Sequence, residues 1–479
     1  MSIAWRNIAI SLRVYVFALL IAGGSSSPLQ AQRAEPLDLN APSDGQYAFL
    51  TPLLNDVEVV SLAESIHITH EFPLARLGIV RWMNQNSGYG VLAFEGSSED
   101  LWISQDSFLK NPGNLSDSTS GLFPIWNTDE MSSIFAYERS TWSSSHPLYV
   151  TAYDIQPGTS SGSQGSRVFA LLQEHLAQYA PPPSGFNAAA WEAALTPLIG
   201  ACGNYESSEE EKAEQAIELL EQWIAIAAPR VEAAYPNLPM HAAALRLIPQ
   251  NLRQSLALCQ TVGGAKDGQR NWHTYKYTRD RLAAQYALSL KMASPNRKLI
   301  LWAHLSHLFY DSEGKNTSVG EILHQTLGPR LYTIGTFALG GGTIVIFSDT
   351  NEDGGYTRVY GISRGIKAFT TQHCPEVCFT DLHHLPPDSP MAGPQRLWFE
   401  ATPMTIPLAD DVDGAIWVKN VHTPHLRVPP LIFLVMLGKH YVPLAVSLIV
   451  LFLILLLWLA YRRIRRKHSA NGSVHAPRV

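Results

Sequence analysis

Glu64, His67 and Glu71 lie close together in Ala63-Glu64-Ser65-Ile66-His67-Ile68-Thr69-His70-Glu71-Phe72. On a helix, spacings of three and four bring such residues to one face. The same carboxylates would also suit a helix start, where they cap exposed amides. The stretch follows an apolar run rich in β-branched residues, Val57–Leu62. Three further apolar runs end the same way. Gly90–Phe94 leads to Glu95, Leu148–Tyr153 to Asp154, and Lys298–Ala303 to His304, with His307 close behind. Carboxylates and imidazoles brought together shift one another's pKa values and poise a base near neutrality. One histidine at a strand end is usually structural; several in parallel positions point to a site.

Those runs read as buried strands, and the segments between them as helices. Glu71–Met83 shows helical spacing through Phe72, Leu74, Leu77, Val80 and Met83. The alternation predicts an α/β fold, with a mainly parallel sheet flanked by helices. Ligands of such sheets bind outside the carboxyl ends of the strands. From about residue 188 to 292 the chain reads as helices only, a large helical insertion. Leu331–Leu339 and Thr343–Phe347 read as strands around a Gly340–Gly342 turn, with Arg358–Ile362 as a returning strand. Gln32–Gly45 and Pro386–Pro394 read as linkers or surface loops.

Leu62–Phe72 resembles the first motif of the erythromycin esterase-like family, Leu-Gly-Glu-x-x-His-Gly-x-x-Glu-Phe. Phe94-Glu95 resembles its second acidic position, and Arg279-Asp280 its Arg-Asp-x-x-Met-Ala motif. Trp302 to His307 resembles its Trp-Ala-His-Asn-x-His motif. The sequence departs from the family at Ala63 and Ile68, where it has Gly, at Leu305, where it has Asn, and at Ala283, where it has Met. The resemblance implies hydrolysis of a small-molecule ester or lactone by activated water, with no covalent intermediate and no cofactor. His67 would be the general base, with Glu64 and Glu95 orienting it or a second imidazole. His304 and His307 would stand opposite, as a second base/acid or as oxyanion donors. Arg279 would stabilise negative charge on the ester oxygen. Glu71 is a further candidate.

Other chemistries compete. The same set could hold a metal through His67, Glu95, His304 and His307, although neither histidine spacing is that of a zincin. Gly158-Thr159-Ser160-Ser161-Gly162 fits a nucleophile elbow, but Pro157 separates it from its strand. Asp349 to Gly354 copies half a calcium loop; Tyr360 stands where the closing Glu belongs, so a polar turn is expected. The changes at Ala63, Ile68 and Leu305 motivate an alternative, a non-catalytic exported binding or assembly protein on the same fold.

The chain ends speak about location. Val442–Tyr461 carries no charge and is long enough to span a bilayer as a helix. Arg462, Arg463, Arg465, Arg466 and Lys467 follow, so residues 462–479 are expected on the cytoplasmic side of a single-pass membrane protein. Residues 1–31 have the layout of a signal peptide, with Arg6 and Arg13 before the apolar Val14–Ala22 and a cleavage point near Ala31; an uncleaved second anchor is the alternative. Residues 32–427 would then be a periplasmic or extracellular domain, joined to the span by a 428–441 linker. A net charge of −6 with 16% charged residues gives no nucleic-acid footprint. An exported chain can oxidise its cysteines, and the expected pairs are Cys374 with Cys378 and Cys202 with Cys259.

Overall fold

The computed structural model describes residues 33–40, 43–159, 167–202, 205–263, 272–310, 317–345, 355–386, 388–400, 402–427, 451–456 and 458. Its strands are β1 Glu35–Pro36, β2 Val59–Glu64, β3 Val91–Ser97, β4 Tyr149–Asp154, β5 Leu299–His304, β6 Leu331–Ala338, β7 Gly342–Val345, β8 Gly355–Arg358, β9 Val377–Asp381, β10 Gln395–Phe399, β11 Thr402–Ile406 and β12 Gly414–Val418. One sheet has the order β1-β9-β12-β6-β2-β5-β3-β4. From β12 to β4 all neighbours are parallel. β9 runs antiparallel to β12, and β1 antiparallel to β9. The pairs β7–β8 and β10–β11 form separate antiparallel hairpins.

The parallel strands are continuous apolar runs because both faces are covered, and every residue of β2, β3, β4 and β5 is buried. The strands run further than the sequence reading places them. Glu64, Asp154 and His304 are the last residues of β2, β4 and β5, and Glu95 lies within β3. β9 and β12 were not expected, and Gln32–Gly45 supplies the edge strand β1 as well as loop. β8 closes at Arg358, so Arg358–Ile362 is not the returning strand.

The chain leaves the centre of the sheet in both directions, from β3 outward to β4 and from β5 across β2 to β6. Between β4 and β5 come the helices Val168–Ala177, Ala188–Leu195, Glu210–Ala234, Pro239–Val262 and Trp272–Ala293. Cys202 and Cys259 form a disulfide with Cα atoms 5.2 Å apart, and Cys374 pairs with Cys378.

The signal-peptide region 1–31, Ser160 and the 349–354 loop lie outside the described residues. Of Val442–Tyr461 only Leu451–Leu456 and Trp458 are described; they are helical, with their side chains exposed. Among the described residues no helix is long and apolar enough to cross a membrane.

Candidate active site

Four neighbouring strands, in the order β4-β3-β5-β2, deliver Asp154, Glu95, His304 and Glu64 to one edge of the sheet. Glu64 and His304 are direct register partners across β2 and β5. Glu95 falls where the β3–β4 register shifts, between Phe94 and Ser97. Such an irregularity re-aims a side chain next to a site.

Glu64 is fully engaged. Its Oε1 lies 2.8 Å from His67 Nδ1 and accepts the Trp126 indole N–H at 2.8 Å. Its Oε2 takes the guanidinium of Arg76, a fully buried side chain stacked 3.9 Å from the Trp302 ring. The carboxylate therefore holds the His67 ring by Nδ1, and the indole and guanidinium hold the carboxylate. An ionised carboxylate only accepts, so the His67 proton resides on Nδ1 and Nε2 presents a lone pair.

His304 is arranged the opposite way. Its Nδ1 accepts the Ser306 backbone N–H at 3.3 Å and lies 2.7 Å from Ser306 Oγ. Since the backbone group can only donate, the neutral ring carries its proton on Nε2. The two imidazoles lie with centroids 4.8 Å apart and planes tilted by 38°.

A residue that the sequence did not single out completes this arrangement. Glu400 stands at the tip of the β10–β11 hairpin, and its Oε1 accepts the His67 backbone N–H at 3.0 Å. The same oxygen lies 3.3 Å from His304 Nε2 and 3.9 Å from His67 Nε2. Glu400 holds a φ of 41°, in the left-handed region that a side chain such as Glu rarely adopts. Its backbone N–H donates to Ser65 O at 2.8 Å, which fixes the tip against the end of β2. Burial pushes the Glu400 carboxyl up, but interaction with the His67 and His304 rings and the His67 backbone N–H outweighs it and brings it below its ordinary value.

Glu95, Arg279 and His307 form a second layer. Arg279, on the helix Trp272–Ala293, donates from Nη2 to Glu95 at 2.8 Å and grips Asp154 through Nε at 3.0 Å. The His304 backbone N–H donates to the other Glu95 oxygen at 3.1 Å. His307 is clamped by Asp280 at 2.7 Å through Nδ1 and lies 3.3 Å from Glu95 through Nε2. Burial raises the Glu95 carboxyl, yet interaction with His307, Arg279 and His67 overcomes it and holds it well below the usual carboxylate range.

Three of the expected site residues have carboxylate or imidazole partners of their own. His307 has both nitrogens on carboxylates, Asp280 and Glu95. Arg279 spends its Nε and Nη2 on Asp154 and Glu95, so its charge is already matched by carboxylates. Glu71 lies apart, bound to His422 at 2.6 Å. The cation-binding set also differs from the sequence reading. His67, His304 and Glu400 offer ligand atoms within 4.8 Å of one another, whereas Glu95 and His307 are not of that group. Trp126 and Arg76, which fix Glu64, carry no sequence signal of their own, since a buried Trp or Arg is recognised only once its partner is known.

Comparisons with known proteins agree with this architecture. A Bacillus subtilis (strain 168) protein described as "Putative hydrolase YbfO" is 22% identical over 333 residues, spanning 65% of this chain and 72% of that protein. A crystal structure of a Bacillus cereus protein superposes with a TM-score of 0.63 at 16% identity, covering 83% of this chain and 97% of the other. The erythromycin esterase EreC, solved as a mutant in its open conformation, gives a TM-score of 0.56 at 18% identity over 84% of this chain and all of that one (100%). At such identities the structures speak for the fold alone. The family model described as erythromycin esterase matches residues 85–421, a span that holds Glu95, Arg279, His304, His307 and Glu400 and begins after Glu64 and His67. With that match over most of its length, the chain belongs to the erythromycin esterase family.

Proposed function

We propose that this protein is a hydrolase that cleaves an ester or lactone with water activated by His67. The observation that carries the reading is the pair of facing imidazoles, whose partners favour opposite tautomers. His67 Nε2 offers a lone pair and His304 Nε2 offers a proton, with Glu400 Oε1 between them. A water placed there gives a proton to His67, and its oxygen adds to the substrate carbonyl. The His304 N–H donates to the oxyanion that develops. His67 then returns the proton to the leaving alkoxide, so no bond to the protein forms. Glu64 supports the imidazolium, and Glu95 fixes the start of the His304 turn. Family membership supports hydrolysis as the reaction class.

The test is turnover of a panel of aryl esters and macrocyclic lactones by the full chain. The expected result is hydrolysis that His304→Gln lowers by about 10²-fold. A folded protein that hydrolyses none of them would favour the exported binding or assembly reading. The atoms of His67, His304 and Glu400 within 4.8 Å favour one further reading, a metal-dependent hydrolase. Activity undiminished by prolonged chelation is the outcome for the His67 mechanism; activity lost and restored by added cation is the outcome for the metal reading.

The uncharged Val442–Tyr461 run and the basic residues after it support a membrane tether, with the catalytic domain on the periplasmic or extracellular side.

A further inference from the structure

A second imidazole–carboxylate cluster lies beside the active site and takes no part in the reaction proposed above. His70 precedes the helix Glu71–Ser87, Glu130 sits in the first turn of the helix Asp129–Thr141, and His425 lies on the segment leaving the sheet after β12. One Glu130 oxygen lies 2.6 Å from His70 Nδ1 and 2.9 Å from His425 Nδ1. The three residues offer ligand atoms that all fall within 4.8 Å of one another. We propose that His70, Glu130 and His425 form a binding site for a divalent transition-metal ion of the zinc class, which staples the exit segment to the domain.

The donor set is the first argument. Two imidazoles and one carboxylate suit zinc, and leave a fourth position for water. The carboxylate is preset. Glu130 is only 4% exposed, and both its oxygens accept the His425 backbone N–H, at 3.1 and 3.3 Å. The imidazoles have the freedom to adjust. The His70 side chain is 36% exposed and that of His425 75% exposed. Tetrahedral ligands at zinc distances of about 2.0–2.2 Å stand farther apart than hydrogen-bonded atoms do, so each ring would draw back from the carboxylate oxygen as the ion enters.

The second argument is access and support. A cleft of about 490 Å³ is lined by His70, Glu71 and His422 among others, and the exposed His425 ring opens the cluster to solvent from its other side. Glu71 and His422 form an adjacent pair at 2.6 Å from the same two segments. The exit segment is already registered there: His70 N–H donates to His422 O at 2.9 Å, and Asp129 N–H to His425 O at 2.9 Å. Gly341, at φ 86°, bridges to Val421, where a side chain would strike the exit backbone. In the cation-free state each Nδ1–H serves Glu130; the dication takes their place once the ring protons move to Nε2.

The experiment is Zn²⁺ titration of the purified full chain by calorimetry, with Co²⁺ absorption as a geometry readout. We expect saturable binding with the visible bands of tetrahedral Co²⁺. His425→Ala should weaken it by at least about tenfold, and so should Glu130→Gln. His304→Ala should leave it intact. Hydrolase activity should survive His425→Ala, since that residue touches none of the reacting groups. Absence of Zn²⁺ binding, or an isotherm unchanged in both His425→Ala and Glu130→Gln, would overturn the proposal.

Discussion

Glu64 decides what His67 can do, because it is the partner that leaves Nε2 without a proton. The same carboxylate is the partner of the buried Arg76. Arg76→Ala should therefore cost roughly 3–5 kcal/mol, as it strands a buried charge; urea unfolding measures it. Glu400 acts from the other side. Glu400→Gln keeps the shape and removes the charge between the two Nε2 atoms, so kcat should fall by about 10²-fold through a misplaced water, with little loss of stability. Glu138, remote from the site, titrates in a useful range. Burial raises its carboxyl to about 8, against the Val150 N–H and Gln105 bonds that favour the charge. A group protonated in the fold and ionised when unfolded loses its stabilisation as pH rises from its unfolded value, about 4.3, through 8. The wild type should accordingly be less stable at pH 8 than at pH 5, and Glu138→Gln should narrow the gap. At this scale the sequence was informative where an ionisable residue ended an apolar run, as at Glu64, Glu95, Asp154 and His304. It was silent on Glu400, which sits 336 positions from Glu64 by residue number on a short polar turn with no motif. It gave no sign that His307 and Arg279 would be paired with Asp280, Glu95 and Asp154.

The β10–β11 hairpin is the element that brings Glu400 to the imidazoles, and Trp398 is its anchor. Trp398 is 1% exposed, donates its indole N–H to Glu400 O at 2.7 Å and packs on Tyr360 with centroids 4.6 Å apart. Trp398→Ala should cost about 3–5 kcal/mol if the whole fold depends on it. Should the hairpin loosen locally, kcat should drop as in Glu400→Gln with a smaller change in unfolding midpoint; the two measurements together separate the cases. The strands of the site were legible because parallel strands buried on both faces are apolar throughout. β9 and β12 were harder, since Val377–Asp381 and Gly414–Val418 are short and no chemistry marks them. The extra reach of β2 and β5 is hidden in the sequence because a charged or imidazole residue reads as the end of a strand even when it lies in register.

For the molecule as a whole, the parallel core brings the candidate site to one edge of the sheet, and the segment after β12 passes beside that edge. If the tether exists, the full chain should stay in the membrane pellet through an alkaline carbonate wash, and a chain ended at Arg427 should not. The proposed activity turns on one imidazole. The most direct measurement is kcat/KM for an ester the wild type hydrolyses, compared with His67→Ala shown to be folded by its unfolding midpoint. The account predicts a loss of about 10²- to 10⁴-fold, the range for a general base. A folded His67→Ala enzyme within a few-fold of wild type would contradict it.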